Sequence, residues 1–197
     1  MSNPLNDLAI QQLFTDAHTA NKFTDAPVGD DLLNRLYDLA KFGPTSMNCQ
    51  PMRLLFVKSP EAKARLKACL SPGNVDKTMA APVTAIVAMD TAFHEFMPTQ
   101  FPAMPAANQM FASNAALSHA TAFRNSSLQG AYLIMAARTL GLAAGPMSGF
   151  DPAKLDAEFF PDGRWQVNFL INLGYADATG NRPRGPRLGF DVAARVI

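Results

Sequence analysis

Between Lys41 and Arg53 the chain reads Lys-Phe-Gly-Pro-Thr-Ser-Met-Asn-Cys-Gln-Pro-Met-Arg, immediately ahead of the apolar run Leu54-Leu-Phe-Val57. Thr45, Ser46 and Asn48 place two hydroxyls and a carboxamide close together, all able to donate and to accept. Gly43 and Pro44 must end any helix that precedes them, and Pro51 favours an extended entry into the apolar run. Such a loop can hold a polar ligand, although the same hydroxyls would also serve a simple capping turn. Three other stretches carry comparable chemistry. Asn74-Val-Asp-Lys77 sets an amide and an ammonium three positions apart, Pro146-Met-Ser-Gly149 joins backbone N–H groups to a glycine, and Arg182, Arg184 and Arg187 sit among Pro and Gly near the C-terminus.

Several chemistries lack their residues. Cys49 and Cys69 form no CxxC pair, and His18, His94 and His119 are scattered, so neither a disulfide framework nor a metal centre is expected. No GxGxxG follows a strand pattern, no Walker loop is present, and Ser46 and Ser148 lie outside any GxSxG elbow. The formal net charge of +1 provides no large field for nucleic acid or an anionic membrane. The first residues lack a basic stretch followed by an apolar core, and the mostly apolar stretch from Met79 to Met89 is too short to span a bilayer. A soluble protein of the cytoplasm, partnered by neither membrane nor nucleic acid, is expected.

The elements that must position these groups are set by periodicity. Leu5 to Thr15 and Asp30 to Phe42 read as helices, the second with Leu32, Leu33, Leu36, Leu39 and Ala40 on one face after an acidic start. Arg53–Lys58 and Val83–Met89 read as central strands with a short helix from Pro60 to Ala68 between them, and Val167 to Tyr175 as a further strand. From Thr91 to Met110, Pro98, Pro102 and Pro105 lie around Phe93, Phe96 and Phe101, the pattern of either a lid or a surface excursion anchored by its aromatics. Asn114 to Leu140 reads as one long helix with apolar groups nearly all round, as in a buried monomer helix or a dimer's central one. Gly141 and Gly145 are read as ending it, and Asp151 to Phe159 as a short capped helix. At 197 residues the chain suits a single domain of α+β class.

Taken in order, the Gly43–Pro51 loop, Asn74-x-x-Lys77, the Gly141–Phe150 stretch and the terminal arginines resemble the FMN-dependent nitroreductase superfamily, and more closely its HadB/RutE branch of malonic semialdehyde reductases. The resemblance implies a three-layer α/β/α sandwich with a mixed or antiparallel central sheet, a long buried helix and a C-terminal extension. It also implies a homodimer with shared sites, FMN as cofactor and NADH or NADPH as electron donor. Pro44, Thr45, Ser46 and Asn48 would lie toward the flavin and its ribityl chain, and Asn74 and Lys77 toward the pyrimidine edge. Pro146, Met147, Ser148 and Gly149 would flank N5 and O4.

For the phosphate, the resemblance assigns Arg187, with Arg184 as companion. At the other end of the chain it places His18, Thr19 and Asn21, where the family usually carries an Arg-rich segment, with Lys22 an alternative in register. Chemistry would take place on flavin N5, with no catalytic side chain beyond an electronic role for Lys77. Arg124, Asn125, Ser126 and His119 are left to line a cavity or to pack and cap. The implied activity is two-electron reduction of a nitroaromatic, quinone, enone or aldehyde. Reduction of 3-oxopropanoate specifically, or flavin binding without catalysis, are the alternatives.

Overall fold

The computed structural model describes residues 3–180 and 182–197. In chain order its helices are α1 (Asp7–Ile10), α2 (Asp30–Ala40), α3 (Pro60–Lys67), α4 (Val75–Ala80), α5 (Met97–Gln100), α6 (Ala107–Ala112), α7 (Ala115–Thr139), α8 (Pro152–Phe159) and α9 (Phe190–Ala193). The strands are β1 (Met52–Val57), β2 (Val83–Asp90), β3 (Ala143–Met147) and β4 (Trp165–Gly174). They form one sheet in the order β1-β2-β4-β3, with every pairing antiparallel.

The local signals account for most boundaries. Asp30 and Asp31 occupy the first turn of α2, where they complement the helix dipole, and Leu33, Leu36 and Ala40 form its buried face. The Ser59 hydroxyl, the Asn114 amide and the Asp151 carboxylate accept N–H bonds at the starts of α3, α7 and α8. The first helical pattern is less regular than expected: α1 is a single turn that continues into a π-helical turn over Gln11–Thr15.

Alternate residues of the central strands feed opposite faces, which makes three layers. Ala85, Val87, Ile171 and Leu173 join α2 and α7 in the larger core, whereas Ile86, Ala88 and Leu170 meet Leu66 of α3 and Leu155 of α8 on the other side. The 25-residue α7 lies across all four strands. Its closeness depends on Gly130, where a Cβ would stand 2.4 Å from Phe169 Cζ.

One sequence reading is altered here, and one left open between a lid and an anchored excursion finds its aromatics anchored. Gly141 does end α7, with φ +77°, but Gly145 lies inside β3, an edge strand where a loop was expected. Ala-Ala-Gly-Pro-Met has little intrinsic strand preference, and it is pairing with β4 that extends it. The Thr91–Met110 stretch is anchored. Phe93, Met97 and Phe111 are buried with Met89 and Ala122, and Phe96 lies between the Arg53 and Arg164 guanidiniums at 5.1 and 5.9 Å. Asp90, almost wholly buried, pairs with the same two arginines at 2.6 and 3.2 Å. No helix among the described residues is long and apolar enough to cross a membrane.

Candidate functional site

The two ends of the chain meet beside the start of β3. Thr19 bridges Ala144 in parallel fashion, and Ala20 N–H donates to Ala144 O at 3.1 Å, so the segment after the π turn runs along the sheet edge. The C-terminal tail crosses it there, held by Arg184 Nη2, which donates to Thr15 O at 2.6 Å and Ala17 O at 2.8 Å. Between them lies a cavity of about 440 Å³ lined by His18, Thr19, Asn21, Arg138, Arg182, Arg184 and Arg187.

All five residues expected at a phosphate are thus brought to one cavity, although they fall into groups well over a hundred positions apart in the chain. Arg138, in the last turn of α7, was not anticipated. By sequence it reads as a cation complementing a helix C-terminus, and only the fold brings it to the chain ends. Its Nη1 donates to Leu13 O at 2.7 Å, while burial and then the nearby Arg184 guanidinium lower its pKa from the ordinary arginine value. Among the described residues none of Arg138, Arg182, Arg184 and Arg187 is paired with a carboxylate. Mutually repelling, unpaired guanidiniums around a cavity make a receptor for an anion.

At the other end of β3 the chain passes through Pro146–Gly149. Asn74 stands at the start of α4, yet its side chain makes no cap there; Nδ2 donates instead to Gly149 O at 2.8 Å. Ser71 N–H donates to the same carbonyl, and a Cβ on residue 149 would lie 2.3 Å from Asn74 Nδ2, so only glycine admits this approach. Lys77 is one turn further along α4, half-buried, and its ammonium has no carboxylate partner among the described residues. Met147 points inward to the core and Ser148 is exposed, which leaves backbone N–H groups and one hydroxyl at the loop surface.

A buried polar network supports this end. Lys63 Nζ donates to Thr78 O and Thr84 Oγ1, each at 2.8 Å, Thr84 donates to Asn172 Oδ1, and Asn172 Nδ2 donates to Thr78 Oγ1. Thr78 Oγ1 also lies 3.5 Å from Met147 Sδ, which joins α4 to β3 beneath Asn74 and Gly149. Desolvation pushes the Lys63 pKa down to about 8.

The Pro44–Asn48 loop belongs to different surroundings. Ser46 N–H donates to Asn125 Oδ1 on α7 at 2.8 Å, and Asn48 Nδ2 to Gln100 O at 2.9 Å. Thr45 Oγ1 accepts from Gln50 N–H, whose side chain reaches both Asn48 and Gln100. Met47, Asn48 and Gln50 adopt φ of 52°, 51° and 39°, an uncommon density of non-glycine residues in left-handed backbone, and this hydrogen-bonding holds them there. Asn125 thus positions the loop, whereas the Ser126 hydroxyl donates back to Phe123 O within α7 and accepts from Asn168 Nδ2, and Arg124 stays on the exposed face. Cys49 is buried behind the loop, and desolvation raises its thiol pKa to about 11, too high for a thiolate at neutral pH.

Comparison with known proteins agrees with this architecture. The model of the nitroreductase family matches residues 15–175, and the chain belongs to that family, a family of oxidoreductase enzymes. A Burkholderia lata protein named an NADH dehydrogenase/NAD(P)H nitroreductase is 62% identical over 192 residues, 98% of each chain. The fold is shared with an Exiguobacterium sibiricum nitroreductase solved in complex with FMN, at TM-score 0.86 and 18% identity over 100% of both chains. It is shared too with an enone reductase of gut-bacterial fatty acid saturation, at TM-score 0.81 and 20% identity over 98% of this chain and 100% of that one.

Proposed function

We propose that this protein is an FMN-dependent NAD(P)H oxidoreductase that reduces a small oxidised acceptor. The observation that carries the reading is the anion-receptive cavity between the chain ends, linked along β3 to the Asn74–Gly149 approach. A phosphate monoester fits that cavity chemically, since its oxygens accept what Arg187, Arg138, Thr19 and His18 can donate. Arg184 serves mainly by locking the tail to Thr15 and Ala17.

Bound flavin would supply hydride acceptance and delivery at N5. The chain's own groups position and polarise it. Lys77 offers a cation that favours negative charge on the pyrimidine edge, Asn74 fixes the loop through Gly149, and the N–H groups of Ser148 and Gly149, beyond the end of β3, offer donors to the opposite edge. No side chain is assigned a role in bond making.

A homodimer completes this reading. The Pro44–Asn48 loop is held against α7 and Gln100 rather than against Asn74, so it is assigned to the flavin of the partner. Phe123, Leu128 and Tyr132 of α7 are exposed and apolar, as are Leu188, Phe190 and Val192 of the tail, the kind of surface a second copy would cover.

Purified protein tests the reading directly. It should be yellow, or become so with added FMN, and NADH or NADPH should bleach it; a colourless protein that takes up no FMN would rule it out. A panel of nitroaromatic, quinone, enone and freshly made 3-oxopropanoate identifies the acceptor class. A kcat/KM for 3-oxopropanoate far above the rest supports the narrower assignment to the HadB/RutE branch, and comparable values across the panel would reject it.

A further inference from the structure

At the N-terminal end of α7, beneath the 91–112 excursion, a second cavity of about 280 Å³ is lined by His94, Ser118, His119, Gln166 and Phe111. Two of its polar atoms, His94 Nδ1 and Ser118 Oγ, are buried without a hydrogen-bond partner among the described residues. Ser118 is only 7% exposed. Buried polar atoms are rarely left unmatched, and two on one cavity from separate elements indicate a missing partner.

The lining defines the character of that partner. Ser118 lies in the first turn of a 25-residue helix, where unshared N–H groups concentrate positive potential. The Ser118 hydroxyl, the two imidazoles and the Gln166 amide can all donate, and no carboxylate is among the lining residues. Asp90 and Glu95, the acids nearest in sequence, are committed to Arg53 and Arg164. Phe111 and neighbouring alanines provide an apolar wall beside these donors. The volume is at the lower end for small-molecule sites, which suits a compact organic acid.

We propose that this cavity binds a small monocarboxylate, with its oxygens on Ser118 Oγ and the His94 ring at the N-terminus of α7 and its short hydrocarbon part against Phe111. The inference does not rest on the cofactor reading, because none of these residues lines the cavity between the chain ends. An occupant would tie the excursion to α7. Through Gln100, which holds Asn48 and Gln50, that tie extends to the Pro44–Asn48 loop.

The test is a titration of the full-length protein, as purified, with sodium propanoate at constant ionic strength, following the ¹⁵N-imidazole signals of His94 and His119. Propanamide at equal concentration supplies the uncharged match. Saturable shifts with propanoate, absent with propanamide and with sodium chloride, are expected. Ser118→Ala should weaken the response about tenfold, as loss of one hydrogen bond to a charged group does. Ala115→Leu, at an exposed helix start, should abolish it by filling the cavity mouth. No saturable shift would mean a cavity holding only water, and an equal response to propanamide would eliminate the anion; either overturns the proposal. So would unchanged propanoate affinity in both variants, and Ala115→Leu decides alone if Ser118→Ala does not fold.

Discussion

Two sets of cations without carboxylate partners among the described residues, Lys63 and the arginines between the chain ends, are built differently. Lys63 is 5% exposed, and its ammonium is bonded to a carbonyl and a hydroxyl in a network that closes on itself through Asn172. Arg138, Arg182, Arg184 and Arg187 instead surround open space, and the carbonyls they reach leave donors unused. An isolated cation whose hydrogen bonds are satisfied by neutral groups is scaffold, and its charge is tolerated at a cost. Cations gathered around a cavity and repelling one another lack their counterion.

The largest expected effect separates the scaffold cation from the rest. With a folded pKa of about 8 against an ordinary 10.5, Lys63 binds its proton less readily in the folded state than in the unfolded one. Its charge therefore destabilises fully below pH 8, and stability is regained as pH rises from 8 toward 10.5, by roughly 3 kcal/mol if the whole shift is expressed. Urea unfolding of the wild type and Lys63→Met at pH 7.5 and 9.5 isolates this term, because other titrating groups such as Cys49 cancel between the two. A variant whose stability changes with pH just as the wild type's does would remove Lys63 from the account.

Next comes the open cluster. Arg187→Ala should weaken FMN binding by about 2 kcal/mol, or roughly thirtyfold, from lost charge-assisted bonds, while leaving the unfolding midpoint of the FMN-free protein nearly unchanged. Titration calorimetry with FMN and riboflavin checks both parts: the loss should be confined to FMN, since riboflavin lacks the phosphate. Equal loss for both ligands would contradict a phosphate contact.

The smallest effect belongs to the contact that lies above the Lys63 network. Asn74→Ala removes one neutral hydrogen bond to Gly149 O, which Ser71 N–H still partly satisfies, and should cost about 1 kcal/mol of stability. Amide exchange should accelerate locally at residues 147–150. Exchange unchanged there would show that Asn74 does not hold the loop.

Much of this was legible in the chain itself. Leu33, Leu36 and Ala40 on one face of α2, the apolar run Ala85–Met89 of β2 and the caps at Ser59, Asn114 and Asp151 are local signals, so these elements stood out within a residue or two. β3 did not, because Ala-Ala-Gly-Pro-Met becomes a strand only by pairing with residues 170–174. Arg138 was hidden for a related reason, since nothing in its neighbourhood along the chain distinguishes it from any basic residue ending a helix.

The sequence by itself determined which groups were available: Asn74 and Lys77 three positions apart, a glycine at 149, arginines in the tail, and a hydroxyl-rich loop after α2. Spacing and backbone preference act over a few residues, so these are properties a linear reading can reach. Tertiary structure decided which of them meet. It brought His18, Thr19 and Asn21 to Arg138, Arg184 and Arg187, tied the start of α4 to the loop after β3 through Asn74 and Gly149, and held Thr45–Asn48 against Asn125 on a different part of the molecule. Contacts between distant segments depend on how the layers pack, and a site made of such contacts exists only once the sheet has closed around its core.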